Sequence, residues 1–328
     1  MFKAHALVLT LLFTSAHGAR AEEANQTVIK TEDAAGRKNK VDGDIDQEVT
    51  NRKMRADSGS KSKFSGSLSG GYTGGSLTRA FGANRPNLSG QPGDQTFTSL
   101  DLGLNARYRR TKNDSFTFGT LFGVVTPFQG RTNKNISKDS VNVNDPMLGY
   151  NRVGKLGPLQ SVANFLYMNG TSISSRDVDQ THQFQLTSSL MKSFQSGLSI
   201  GAGISTGYRF YDTKPGAHTN KLEEQGIYDP GYYGGDHRSQ WTLSVFPQLE
   251  YTLTDKLSVR TVFGYANFKH LYGDPNRYRL LQTVVYQSVG VGISVARDIY
   301  LYPNIQFVPD NIRGDFTNVA LQGMINIF

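Results

Sequence analysis

The chain has 328 residues, with 35 Lys and Arg against 27 Asp and Glu (formal net charge +8), 35 glycines and no cysteine. The missing cysteines exclude disulfides. No apolar run approaches the roughly 20 residues that a membrane-spanning helix needs, and the mean hydropathy is −0.42. The basic balance does not point to nucleic acid, because the Lys and Arg residues are scattered rather than gathered on one helix or stripe.

The first element is a leader. Met1-Phe2-Lys3 carries one positive charge, residues 4–13 are apolar, and Ala19-Arg20-Ala21 follows a stretch of small residues. This layout predicts a signal peptide over residues 1–21, with an apolar run too short to span a bilayer. Its removal leaves 33 basic and 27 acidic residues, or +6, a balance suited to anionic lipid headgroups or anionic solutes in a lumen.

Residues 22–62 hold nine acids, eight bases and no aromatic residue. Such a segment buries too little apolar surface to order itself in isolation. The expectation is a solvated periplasmic tail with a short helix over residues 46–55, where Ile45, Val49 and Met54 form a weak stripe. The sharper alternative is a plug that folds back into a lumen.

From Lys63 onward the chain alternates apolar and polar residues at the period of a strand with one greasy and one wet face. The first strand shows Phe64, Gly66, Leu68, Gly70 and Tyr72, and the second Leu100, Leu102, Leu104 and Tyr108 against Asp101, Gly103, Asn105 and Arg107. Phe116, Phe118, Phe122 and Val124 mark the third. The fourth and fifth meet at residues 154–158 and alternate poorly. Phe184, Leu186 and Leu190 mark the sixth, Leu198, Ile200, Ile204 and Phe210 the seventh, and Trp241, Leu243, Val245 and Tyr251 the eighth. The ninth runs from Leu257 to Tyr265 and the tenth from Leu281 to Val295. The eleventh holds Leu301, Ile305 and Phe307, and the last Val319, Leu321, Ile325 and Ile327. Connections after even strands are brief, as at Thr111-Lys112-Asn113-Asp114 and Arg297-Asp298, and those after odd strands are long. A soluble sandwich has no reason to sort its connections by length; an up-and-down barrel with two different rims has.

Together these features make the chain resemble the Gram-negative outer-membrane β-barrel proteins over residues 63–328. The fold class is therefore all-β, a transmembrane antiparallel barrel of about twelve strands after a disordered or short-helical N-terminal segment. The resemblance implies an outer-membrane location with both termini periplasmic, contact with lipid and lipopolysaccharide, and aromatic girdles that include Tyr108, Phe116, Trp241, Tyr251 and Phe307. It also implies recognition by the barrel-assembly machinery through a terminal strand ending in Phe328. That residue departs from the pattern, since it shares parity with Gln322 and Asn326 and not with Ile327.

The expected lumen is small and polar. Ser65, Ser67, Gly201, Gly203, Gly290 and Gly292 leave room, and Asn105, Gln183, Gln185, Gln248, Gln282 and Gln306 add amides. Arg107, Arg209 and Arg260 outnumber Asp101 and Glu250. These positions predict a porin-like channel for small hydrophilic solutes, mildly favouring anions, with no cofactor, no metal and no enzymatic activity. Two alternatives compete with it. A closed recognition barrel would work through outer loops, with Tyr228, Tyr232 and Tyr233 as its aromatic contacts. An outer-membrane hydrolase would draw on His237 and Ser239, or on Asp229, Asp236, His237 and Asp274 at the rim. His182, His218, His237 and His270 are too widely spaced for a compact metal set.

Overall fold

The computed structural model describes residues 43–88, 97–129, 141–214, 238–264, 266–274, 276–282 and 286–327. In chain order the strands are β1 (Phe64–Ser76), β2 (Ser99–Arg109), β3 (Asp114–Val125), β4 (Val141–Val143 and Met147–Leu156), β5 (Leu159–Asn169) and β6 (Gln180–Ser193). There follow β7 (Leu198–Tyr211), β8 (Ser239–Thr252), β9 (Leu257–Gly264 and Ala266–Leu271), β10 (Leu281–Gln282 and Tyr286–Ala296), β11 (Ile299–Phe307) and β12 (Asn318–Ile327). Two short helices, α1 (Arg52–Ser58) and α2 (Ile173–Asp177), and a 3₁₀ turn (Ile45–Gln47) complete the described elements.

Each strand pairs antiparallel with the next, and β12 returns to β1 with Gly66 opposite Ile327 and Tyr72 opposite Leu321. Closure gives each of the twelve described strands a partner on both sides, which is what a sheet in hydrocarbon requires. The side chains sort by parity. One line around the outside runs Phe64, Tyr108, Phe116, Tyr150, Phe165 and Leu186. Along it Phe64 meets Tyr108 at 5.1 Å and Phe116 meets Tyr150 at 5.6 Å between ring centroids, the arrangement of an interfacial aromatic belt.

Connections split as expected. Residues 110–113, 157–158, 194–197, 253–256 and 297–298 close one rim, and the other rim carries the long connections. At the two-residue turn 157–158 Gly157 adopts φ +59°, a conformation that a β-carbon resists. β1 starts and β12 ends at the short-turn rim, where Asn326 N–H donates to the Asp298 carbonyl at 2.8 Å.

Two expectations are corrected in detail. The single helix over residues 46–55 is instead a 3₁₀ turn followed by α1, because Asn51 interrupts it and caps α1 by accepting from Met54 N–H at 3.1 Å. The poor alternation of the fourth and fifth strands has a packing cause. Val153 and Val162 face inward, 1% and 3% exposed, in a cluster with Met191, Ile45, Val49 and Met54. With apolar side chains in the inward row as well, the polar half of the pattern vanishes there.

Candidate functional site

The inner wall takes its chemistry from strand parity. An inward line reads Ser67, Asn105, Gly119, Met147, Met168, Gln183 and Arg209. Asp101 lies between Gly71 and Gly123, and Gln306 between Ser288 and Asn318. Arg209 Nε donates to Gln183 Oε1 at 3.2 Å, and Gln185 Nε2 donates to Ser205 Oγ at 3.1 Å. Lower on the wall Glu250 accepts from Ser258 Oγ at 2.6 Å. Arg260 donates to Gln248 and lies over the Tyr302 ring, 5.1 Å from its centroid.

Gln282 is a correction. The pairing register advances by one residue between Val262 and Ala266 on β9, so Gln282 sits opposite Phe268 and in line with Leu243 on the outward row. Parity read from sequence cannot register such a slip.

At the short-turn rim residues 43–62 form a strap against the inner wall. Ile45, Val49 and Met54 are 0–2% exposed in the Val153, Val162 and Met191 cluster, and Ala56 packs with Tyr300, Tyr302 and Met324. Polar contacts surround this apolar seat. The N–H groups of Thr50 and Asn51 donate to Gln160 Oε1 at 2.7 and 3.0 Å. Asn51 Nδ2 donates to Glu250 Oε2 at 3.0 Å, and Asn326 Nδ2 to the Ala56 carbonyl at 2.8 Å. Arg109, only 1% exposed, donates through Nη2 to the carbonyls of Ser58 and Ser60, both at 2.7 Å. Arg107 Nη1 reaches the Ser58 carbonyl at 2.5 Å.

Ion pairs tie the strap to the turns. Arg297 Nη2 lies 2.9 Å from Asp46 Oδ1 and Lys112 Nζ 3.0 Å from Glu48, while Lys61, itself in the strap, places Nζ 2.9 Å from Asp44 and 3.0 Å from Asp46 and folds the strap on itself. Burial pushes the Asp46 carboxyl up, yet hydrogen bonds and charge from Arg297 and Lys61 hold it below the ordinary carboxylate value. Against desolvation, Asp44 and Asp46 hold Lys61, and Asp46 and Asp298 hold Arg297, above their ordinary values.

The other candidates are less convergent. Tyr228, Tyr232, Tyr233, Asp229, Asp236, His218, His237 and Phe328 lie outside the described residues. The Ser239 carbonyl accepts from Tyr211 Oη at 2.8 Å. Asp274 accepts from Asn276 N–H at 2.9 Å and lies 3.8 Å from Arg279, holding its own loop. His182 meets Tyr167 Oη, and His270 meets the Arg279 carbonyl. No group of three potential metal ligands occurs among the described residues. Sequence reading missed Arg109, Gln160, Arg297 and Asn326 as strap anchors; the first three share a position in or beside a short turn, and Asn326 lies near the end of β12. It also missed Arg238, held between the Tyr211 and Tyr272 rings at 4.8 and 4.9 Å near the long-loop rim.

A closed ring of twelve antiparallel strands, apolar outside and polar within, defines a transmembrane β-barrel of the outer-membrane type. Neither a family model nor a curated protein matches the chain. Among solved structures it is similar to the COG4313 outer membrane channel from Pseudomonas putida F1, at 10% identity and TM-score 0.45 over 80% of this chain and 95% of that one. It is also similar to the NanC porin (10% identity, TM-score 0.40, 80% and 98% of the chains) and to OmpF of Salmonella typhi (8%, 0.33, 83% and 99%). The barrel assignment stands on the strand pairing itself.

Proposed function

We propose that the protein is an outer-membrane channel for small hydrophilic solutes, with its short-turn rim and both termini in the periplasm and the strap of residues 43–62 as a plug in the periplasmic mouth. The supporting observation is the inner wall: small and amide side chains line a closed barrel whose outer face is apolar. Packed cores use large side chains where this wall uses Ser, Gly, Asn and Gln. Inward arginines (Arg107, Arg109, Arg209 and Arg260) outnumber the inward acids Asp101 and Glu250, which favours a mild preference for anions.

Purified protein in planar bilayers tests the reading. The expected record is stepwise conductance with brief closures and a reversal potential shifted toward the anion in a salt gradient. Loosening the strap by Met54→Ala should raise the open fraction. Electrical silence in both the wild-type protein and Met54→Ala would overturn the channel assignment.

A further inference from the structure

Three guanidinium groups converge on three consecutive carbonyl oxygens of the strap. Arg107 Nη1 and Arg109 Nη2 reach the Ser58 oxygen at 2.5 and 2.7 Å. Arg297 Nη1 reaches the Gly59 oxygen at 2.7 Å, and Arg109 Nη2 and Nε reach the Ser60 oxygen at 2.7 and 3.1 Å. Arg297 is neutralised by Asp46 and Asp298. Arg107 and Arg109, 8% and 1% exposed, have no carboxylate within ion-pair distance among the described residues, and Arg107 Nε has no hydrogen-bond partner. Their hydrogen bonds go to neutral carbonyls, and carboxylates act on them only from beyond contact, Asp57 on Arg107 and Asp298 and Asp46 on Arg109, so two buried, fixed positive charges are incompletely compensated. The guanidinium fork fits the two oxygens of a carboxylate or phosphate better than a peptide oxygen.

The backbone at this point is shaped for the contact. Gly59 has φ +83°, and a β-carbon there would lie 1.7 Å from Arg107 Nη1, so only glycine lets the carbonyls sit so deep among the arginines.

We propose that Arg107 and Arg109, with Arg297 at their edge, form an oxyanion-binding site for small carboxylate or phosphate solutes, and that the strap carbonyls of residues 58–60 occupy it as stand-ins. The solute and the strap then compete for the same donors, so a bound anion releases the strap. This rests on the strap being the plug of the proposed channel, but its test does not require conduction.

The native chain has no cysteine, so Gln47→Cys, at an exposed strap position, takes a single nitroxide label in the full-length protein. Sodium phosphate and sodium acetate are titrated separately against sodium chloride of matched ionic strength, because salt alone screens the strap's ion pairs. The expected result is a saturable mobile fraction with phosphate, acetate or both, beyond the chloride baseline; the anion that saturates first identifies the preferred oxyanion. Arg107→Gln/Arg109→Gln should raise the baseline mobility and weaken the apparent anion affinity by at least about tenfold. Arg313→Gln, on an exposed loop, should leave both unchanged, and heat-dependent gel mobility reports barrel closure in each variant. Equal mobilisation by chloride, or an unchanged phosphate and acetate response in the double variant, overturns the site. A label that responds in a protein without conductance upholds the site and removes the channel.

Discussion

Met54 offers the sharpest test of how the strap is held. Its side chain is 1% exposed in a cluster with Ile45, Val49, Val153, Val162 and Met191. Met54→Ala removes that packing and leaves a cavity, a change that costs about 2–5 kcal/mol at buried sites. Because Val153, Val162 and Met191 belong to the barrel wall and Met54 to the strap, the loss falls on docking and not on strand pairing. At 1.4 kcal/mol per factor of ten, the undocked population should rise at least about thirtyfold. The strap carries its own reporter, since trypsin cuts after Arg52, Lys53 and Arg55, which are half-buried and held in α1 while the strap is docked. When opening and closing are fast relative to cleavage, the rate tracks the open population. Cleavage after residues 52, 53 and 55, followed by mass spectrometry, should therefore accelerate at least about thirtyfold in Met54→Ala. Leu104→Ala, on the outer face and 50% exposed, is the control and should leave the rate unchanged. A rate in Met54→Ala within about twofold of wild type, or an equal acceleration in Leu104→Ala, refutes the packing argument.

Three further outcomes are expected. Docking should depend on pH only at the extremes. Asp46 is depressed below its ordinary 3.8 in the docked strap, so its contribution is present above that value and is lost as pH falls through the docked pKa. Lys61, paired with Asp44 and Asp46 of the strap itself, is raised above its ordinary 10.5, so its contribution to the strap's docked shape is present below that value and is lost as pH rises through the docked pKa. Label mobility at Gln47→Cys should accordingly stay flat from about pH 5 to 10 and rise on either side; a transition near neutrality would contradict it. Gly59→Ala should displace the Arg107 guanidinium and strain a backbone at φ +83°, costing docking about 1–3 kcal/mol in the same trypsin assay. At the long-loop rim, Asp145 accepts from Thr171 N–H, Ser172 N–H and Ser175 Oγ at 2.8, 2.7 and 2.5 Å. Asp145→Ala should raise amide exchange at residues 171 and 172 about tenfold or more while leaving the barrel strands protected.

The strands were legible because the outer face meets hydrocarbon and the rims differ in loop length, and both constraints act on single positions along the chain. Leu100, Leu102 and Leu104 must be apolar whatever lies across the barrel, and a two-residue turn at Gly157 announces itself locally. Where the sequence misled, the cause was non-local. Val153 and Val162 broke the alternation because they meet Ile45, Val49 and Met54, which lie about a hundred residues earlier in the chain. Gln282 changed face because β9 slips register between Val262 and Ala266. The inner wall followed from parity, whereas the anchors did not. Arg109, Gln160 and Arg297 look like ordinary polar residues beside turns until the strap carbonyls and carboxylates are brought to them.

The anchors of the strap are spread around the whole ring: Arg107 and Arg109 on β2, Gln160 on β5, Glu250 on β8, Arg297 between β10 and β11, and Asn326 on β12. The strap precedes every strand in the chain, yet two of its anchors come within the last 32 residues of the sequence, 238 to 270 positions from their partners. Contacts so distant in sequence carry the largest loop-closure cost and form last. Seating of the strap is therefore also a record of history. A barrel still lacking its final hairpin has nothing to receive Ala56 or Gly59, so the strap cannot seat until the seam between the first and last strands is sewn.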